Sequence, residues 1–124
     1  MSIYLSFLEV LFIHENQLSE YGGGSGIRDA GQLESALFRP QSGYYKDIIE
    51  EAAALWESLS QNHPFIDGNK RTAFASTFIV LEINGYQLKV PNVTAEEFIL
   101  GLYSSANFSF DVIEPWLRSN LKLK

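Results

Sequence analysis

The chain has no cysteine, which excludes disulfides, thiolate nucleophiles and cysteine-ligated zinc. It holds only two histidines, too few for a multi-histidine metal centre. Basic residues are also scarce: nine Lys and Arg against fifteen Asp and Glu leave a formal net charge of −6 over 124 residues. Affinity for a nucleic-acid backbone rests on cations that neutralise phosphates, so no direct grip on nucleic acid is expected. Long hydrophobic runs are missing as well. Each apolar run is broken by Glu, Asn or Ser before it reaches bilayer length, and no charged, apolar, cleavable leader opens the chain. The expectation is a cytosolic protein with one domain over residues 1–124, long enough for a core.

What the chain does have is a stretch around which the rest can be organised. Thr72 to Ile83 carries apolar side chains on nearly every face, and a helix of that kind must be surrounded by other elements. Lys70 and Arg71 fall in its first turn, where free N–H groups and the helix dipole are already positive. Each added cation there costs about 0.3–1 kcal/mol. A negative group is expected to offset that cost, and a helix start with a Gly-containing turn before it, Asp67-Gly68-Asn69, is a ready phosphate site. A carboxylate beside a phosphate suggests a bridging magnesium ion, and Asp67 is the candidate ligand. His63, on the connection into this corner, has an unperturbed pKa near 6.5 suited to accepting a proton from an attacking hydroxyl.

His63-Pro64-Phe65-Ile66-Asp67-Gly68-Asn69-Lys70-Arg71 resembles the signature of the Fic/Doc family, in its death-on-curing (Doc) toxin branch. The likeness extends upstream through Tyr21-Gly22-Gly23, Gly26-Ile27-Arg28-Asp29 and Leu33 to Leu37, and downstream through Leu81 to Tyr86. The resemblance implies an all-α fold and a site that uses ATP and Mg2+. It implies His63 as general base, Asp67 on the metal, and Gly68, Asn69, Lys70 and Arg71 around the phosphates. Fic enzymes adenylylate protein hydroxyls, whereas the Doc toxin phosphorylates a threonine of translation elongation factor Tu. The adenylylating branch has Gly where this chain has Lys70, and a further Arg where it has Phe74, so the kinase side is favoured. Doc toxins are held in check by an antitoxin whose C-terminal segment enters a hydrophobic groove, and exposed Phe, Tyr and Trp are expected to furnish one here. The sequence lacks the internal inhibitory signature of some Fic proteins, a Ser or Thr followed by Glu-Gly or Glu-Asn, which favours control in trans.

Taken in order, the chain predicts about six helices in a compact bundle with a buried central helix after the motif loop. The first follows Ser6, with Glu9 reaching back in a capping box, a buried stripe of Leu8, Leu11, Phe12 and Leu18, and a stop at Tyr21-Gly22-Gly23-Gly24-Ser25-Gly26. That Gly-rich run lacks both Walker lysine spacing and a preceding strand. Asp29 opens a short helix through Leu37, and Arg28 reads as a partner of nearby carbonyls. Arg39 to Tyr45 reads as an exposed loop or small hairpin; the resemblance puts it in the place of the family's target-holding flap, and the alternative is an ordinary interhelix connection. Asp47 to Asn62 is amphipathic and should stop before Pro64. After Asn84-Gly85 the chain should hold a short extended piece at Gln87–Val90, then a helix capped by Thr94 and Glu97 that buries Phe98, Ile99 and Leu102. A last helix from near Asp111 should carry Val112, Ile113, Trp116, Leu117 and Leu121, with Pro115 in its first turn.

The motif residues have structural readings too. His63 can bond carbonyls at a helix end, Asp67 can cap the helix, Asn69 can bond the loop, and Lys70 and Arg71 can be solvated or paired with Glu. His14 reads as structural. The functional expectation is a type II toxin that transfers the γ-phosphate of ATP to a Ser or Thr hydroxyl of an elongation factor Tu-like target. The alternatives are a protein adenylyltransferase and a non-catalytic protein-binding module.

Overall fold

The computed structural model describes residues 2–89, 92–104 and 108–124. Its first helix, α1 (Phe7–Tyr21), forms where a local cap meets an apolar stripe. The Ser6 hydroxyl accepts from the Glu9 amide at 3.2 Å and the Glu9 carboxylate accepts from the Ser6 amide at 2.8 Å, the reciprocal capping box read from the sequence. Gly22 ends the helix at φ 79°. The buried stripe differs from the expected one. Leu18 is buried and Leu11 half-buried, but Leu8 and Phe12 are 75% and 74% exposed, and Val10, Ile13 and His14 face the core instead. Both stripes have helical spacing; the one with a histidine in it wins because that histidine finds a hydrogen-bond partner below it.

Asp29 caps α2 (Ala30–Phe38) by accepting from the Gln32 amide. A single 3-10 turn, Arg39–Gln41, follows. Residues 39–45 form no strand, so the hairpin alternative fails. Arg39 is tied to Glu57, Ser58 and the Tyr45 hydroxyl, and these side-chain anchors hold the connection against α3 (Ile48–Gln61).

The expected all-α bundle with a central helix after the motif loop is present, and its centre is a pair. Ten of the 14 residues of α3 are buried. Beside it, α4 (Asn69–Ile83) buries Thr72, Ala73, Ser76, Thr77, Val80 and Leu81 while leaving Ile79 and Ile83 exposed. Trp56 of α3 is the aromatic keystone, with its ring edge-on to Phe74 and Phe78 of α4 at 5.8 and 5.6 Å. Asn84 closes α4 and clasps the backbone of Ile3 through both side-chain atoms.

Beyond α4, β1 (Tyr86–Leu88) supplies the expected extended piece and pairs antiparallel with β2 (Leu121–Leu123); Val90 lies outside the described residues. Leu121 therefore belongs to a strand, contrary to its expected place on the last helix. Between the strands lie α5 (Asn92–Ser104) and α6 (Phe110–Asn120). Helix α5 starts two residues ahead of Thr94, whose side chain lies outside the described residues; Leu102 is buried, and Phe98 and Ile99 are half-buried. Helix α6 begins at Phe110, one residue ahead of Asp111, and Pro115 lies inside it and not in its first turn as expected. The start is set by tertiary contact: the Phe110 amide donates to Glu57 of α3 at 2.7 Å. Pro115 removes only the donor for the Asp111 carbonyl, in the exposed first turn.

Candidate active site

The motif loop is built from backbone outwards. Helix α3 stops at Gln61, and His63 turns the chain with φ at +48°. Phe65 then drops into the core at 1% exposure. It is held on three sides. Its backbone bridges to Ile27. Its amide and carbonyl are both bonded by the Asn69 side chain at 2.9 Å. Its ring stacks on His14 at 3.8 Å and 7°. His14 Nε2 donates to the Asp67 carbonyl at 2.8 Å, since a carbonyl only accepts. Gly68 takes a left-handed conformation and starts α4, which no side chain caps. The leading amides of α4 therefore stay available to an anion.

His63, Asp67, Gly68, Asn69, Lys70 and Arg71 line one open cleft of about 370 Å3 together with Ile66, so the fold brings all six sequence candidates together. The His63 side chain is exposed, with no hydrogen bond to its ring among the described residues. Asp67 is also exposed. Its carboxylate accepts from the Gly24 amide at 3.2 Å and the Gly68 amide at 2.8 Å. These two bonds, in that order, hold its pKa below the ordinary value, with help from the charge of Arg71. The Gly-rich run thus turns an amide to a carboxylate, and Gly23 passes so close that a Cβ would lie 2.8 Å from Asp67 Oδ2.

Lys70 and Arg71 have partners that the sequence reading did not supply. Lys70 Nζ lies 4.7 Å from the ring centre of Tyr103, and the Arg71 guanidinium 5.3 Å from that of Tyr21. Arg71 also donates to the Gly22 carbonyl at 3.0 Å. Neither cation has a carboxylate within ion-pair distance among the described residues. Asn69 has a structural part as well: its side-chain oxygen and nitrogen both bond the Phe65 backbone, while the residue also lines the cleft. Arg28 does bond carbonyls, as expected, and these belong to Asn62 and His63. Sequence reasoning missed Tyr21 and Tyr103, and it gave His14 no place in the loop. The available signal for Tyr21 was its position at the end of α1, beside the Gly-rich turn.

A second cleft of about 410 Å3 adjoins the first and shares Lys70 and Arg71 with it; Tyr21, Phe74, Leu100 and Tyr103 form its apolar wall. A third, of about 420 Å3, runs between α1 and α4 over the exposed Leu8, Phe12 and Ile79. Among the described residues no three His, Asp or Glu side chains are grouped to hold a metal unaided, and no helix is long and apolar enough to cross a membrane.

The chain is 45% identical over 73 residues to a protein named Toxin Doc from Mycolicibacterium smegmatis, covering 55% of this chain and 56% of that protein. It is 34% identical over 89 residues to a protein named Protein kinase doc from Escherichia phage P1, covering 68% of this chain and 71% of the phage protein. The match thus spans little more than half the length of the mycobacterial relative. Residues 4–81, which run from the N-terminal arm through the motif loop and most of α4, match the Fic/DOC family model, and the chain belongs to the Fic/DOC family.

Proposed function

We propose that this chain is the toxin of a type II toxin–antitoxin pair and acts in the cytoplasm as a protein kinase. It would move the γ-phosphate of ATP to a Ser or Thr hydroxyl of a translation factor resembling elongation factor Tu. The observation that carries this reading is the convergence, in one open cleft, of an imidazole with no hydrogen bond among the described residues, an ionised carboxylate and two cations at a helix start that no side chain caps. The His63 imidazole takes the proton of the acceptor hydroxyl while that oxygen bonds to the γ-phosphorus and the bond to the departing ADP breaks. Amides of the first turn of α4, with Lys70 and Arg71, hold and neutralise the phosphates. The donor set fits magnesium: one exposed carboxylate, with phosphate oxygens and water left to complete an oxygen shell. Asp67 would hold that ion, which supplies neutralisation of the charge shared between the phosphates. Catalysis rests on placement and charge.

Phosphorylation is favoured over adenylylation by two side chains. Lys70 adds a cation where the adenylylating enzymes have Gly, and Phe74 replaces their further Arg with an apolar ring packed against Trp56 and Phe78. The apolar cleft beside the two cations, with the Leu8 and Phe12 groove next to it, supports an antitoxin segment covering the site. Incubation with purified elongation factor Tu and ATP labelled at the α or the γ phosphate tests the reading. Transfer of γ label alone is expected. Transfer of α label means adenylylation, and transfer of neither leaves a protein-docking role. His63→Ala should abolish transfer with an unchanged melting temperature, because the ring is exposed and unbonded.

A further inference from the structure

We infer that Arg28 is a positioning residue that holds the turn from which the His63 imidazole is aimed; the inference rests on the reading of His63 as the base. Among the described residues His63 is the single non-glycine at positive φ, +48°. An L-residue there is disfavoured, and a following proline narrows its choices further. Such a conformation persists only where surrounding contacts impose it.

Most of those contacts come from one residue. Arg28 Nε donates to the His63 carbonyl at 2.6 Å, Nη2 donates to the Asn62 carbonyl at 2.8 Å, and the Arg28 backbone amide donates to the Pro64 carbonyl at 2.8 Å. Three consecutive carbonyls after α3 are thereby bonded by a single residue, with the Pro64 carbonyl also accepting from the Asp29 amide at 3.1 Å. Carbonyls at that end have no helical partners, and the dipole there is negative, so a planar cation suits the place. Arg28 is itself fixed, by the bridge of Ile27 to Phe65 before it and the capping of α2 by Asp29 after it. Its guanidinium has no ion-pair partner among the described residues, and it does not line the cleft. It therefore acts through His63 and not on the substrate.

The test compares wild type with Arg28→Ala and Arg28→Lys, both expected to fold because the side chain is exposed. In γ-labelled transfer to elongation factor Tu, Arg28→Ala should lose about 100-fold in kcat, the effect of misplacing a reacting group by about 1 Å, with KM for ATP unchanged. Methylguanidinium added to Arg28→Ala should restore part of the loss. Arg28→Lys should recover little, because one ammonium cannot span both carbonyls as a fork does. The three-bond amide–Hα coupling of His63, read by NMR, should leave its left-handed value in Arg28→Ala, while His14, the one other histidine, keeps its signals. An unchanged His63 coupling, or an unchanged kcat, overturns the inference. If wild type transfers no label, the kinase reading falls, and the His63 coupling alone decides whether Arg28 holds the turn.

Discussion

Replacing Gly23 by Ala tests how far the Gly-rich run governs Asp67, because the two neighbouring glycines separate its possible effects. A Cβ on Gly23 would lie 2.8 Å from Asp67 Oδ2 and 3.0 Å from Leu18 Cδ2, on a backbone with φ at +127°. One on Gly22 would meet nothing within 4 Å, although φ there is +79°. One on Gly24 would make ordinary contact with Ile66 at 3.7 Å, and its backbone is not left-handed. Forcing an L-residue to positive φ costs about 1–2 kcal/mol. For a chain of this length that lowers the melting temperature by about 4–8 °C. Gly22→Ala and Gly23→Ala should both show that fall, and Gly24→Ala should stay near wild type. Function should divide them differently. Only the Gly23 methyl displaces the carboxylate, breaking the bond from the Gly24 amide that does most to lower the Asp67 pKa. In Gly23→Ala that pKa should climb toward its ordinary value in an NMR titration. The magnesium-dependent affinity for a non-hydrolysable ATP analogue, measured by calorimetry, should weaken at least about 10-fold, as expected when a contact orienting a metal ligand is lost. Equal weakening in Gly22→Ala and Gly23→Ala, or none in Gly23→Ala, would refute the reasoning.

Asn69→Ala removes both bonds to the Phe65 backbone and should cost about 1–3 kcal/mol in urea unfolding; a smaller loss would mean that the loop closes without it. Tyr103→Phe keeps the ring beneath Lys70 but removes the hydroxyl that meets Ser60 and Trp56. Stability should fall while affinity for the ATP analogue holds, and a loss of affinity would show that the hydroxyl, not the ring, sets Lys70. Burial pushes the Asp47 carboxyl upward, but the hydrogen bond from Arg118 and then the Glu50 amide outweigh it, so its pKa lies below the ordinary value. The ionised form therefore stabilises the fold above about pH 4, and that contribution is lost as pH falls through the lower folded value. Melting temperatures should drop below about pH 4, and Arg118→Ala should flatten the drop; an unaltered slope would remove the pair from the acid response.

Local signals in the chain carried much of this fold. The Ser6–Glu9 box, Asp29, Asp47 and the Gly68 turn each set a helix start through contacts within four residues. Failures came where distant residues decide. The start of α6 is set by Glu57, 53 positions away, and β2 exists because β1 offers an edge to pair with. The face of α1 differs from the expected one for the same reason: beside the shared Leu18, Leu8 and Phe12 form as good a stripe as Val10 and Ile13, and the Asp67 carbonyl and the Phe65 ring make His14 an inward residue. For the site, residue types and spacing placed His63, Asp67, Gly68, Asn69, Lys70 and Arg71 at one cleft. The division of labour within it was legible only in part: loop bonding by Asn69 and carbonyl bonding by Arg28 could be read from local context, but that the carbonyls Arg28 meets are those of Asn62 and His63, the latter 35 positions downstream, could not.

The two adjacent cations carry a last physical point. Placing them at the start of α4 costs about 0.3–1 kcal/mol each, which on sequence grounds called for a negative partner. The fold answers with tyrosine faces, and a cation on an exposed ring gains about 0.5–1 kcal/mol. The two magnitudes are comparable, and the Asp67 carboxylate, bonded to the Gly68 amide and interacting with the charge of Arg71, adds to the offset, so the presence of the pair does not by itself require a bound anion. The choice of partner matters more than the energy. A carboxylate would have neutralised Lys70 or Arg71, and an incoming phosphate would then have to break an ion pair before gaining one. A tyrosine ring fixes the position of the cation and leaves its charge whole. Both cations thus face the cleft already held in place and still fully charged, which is the condition under which charge stabilisation needs no rearrangement as the phosphate moves.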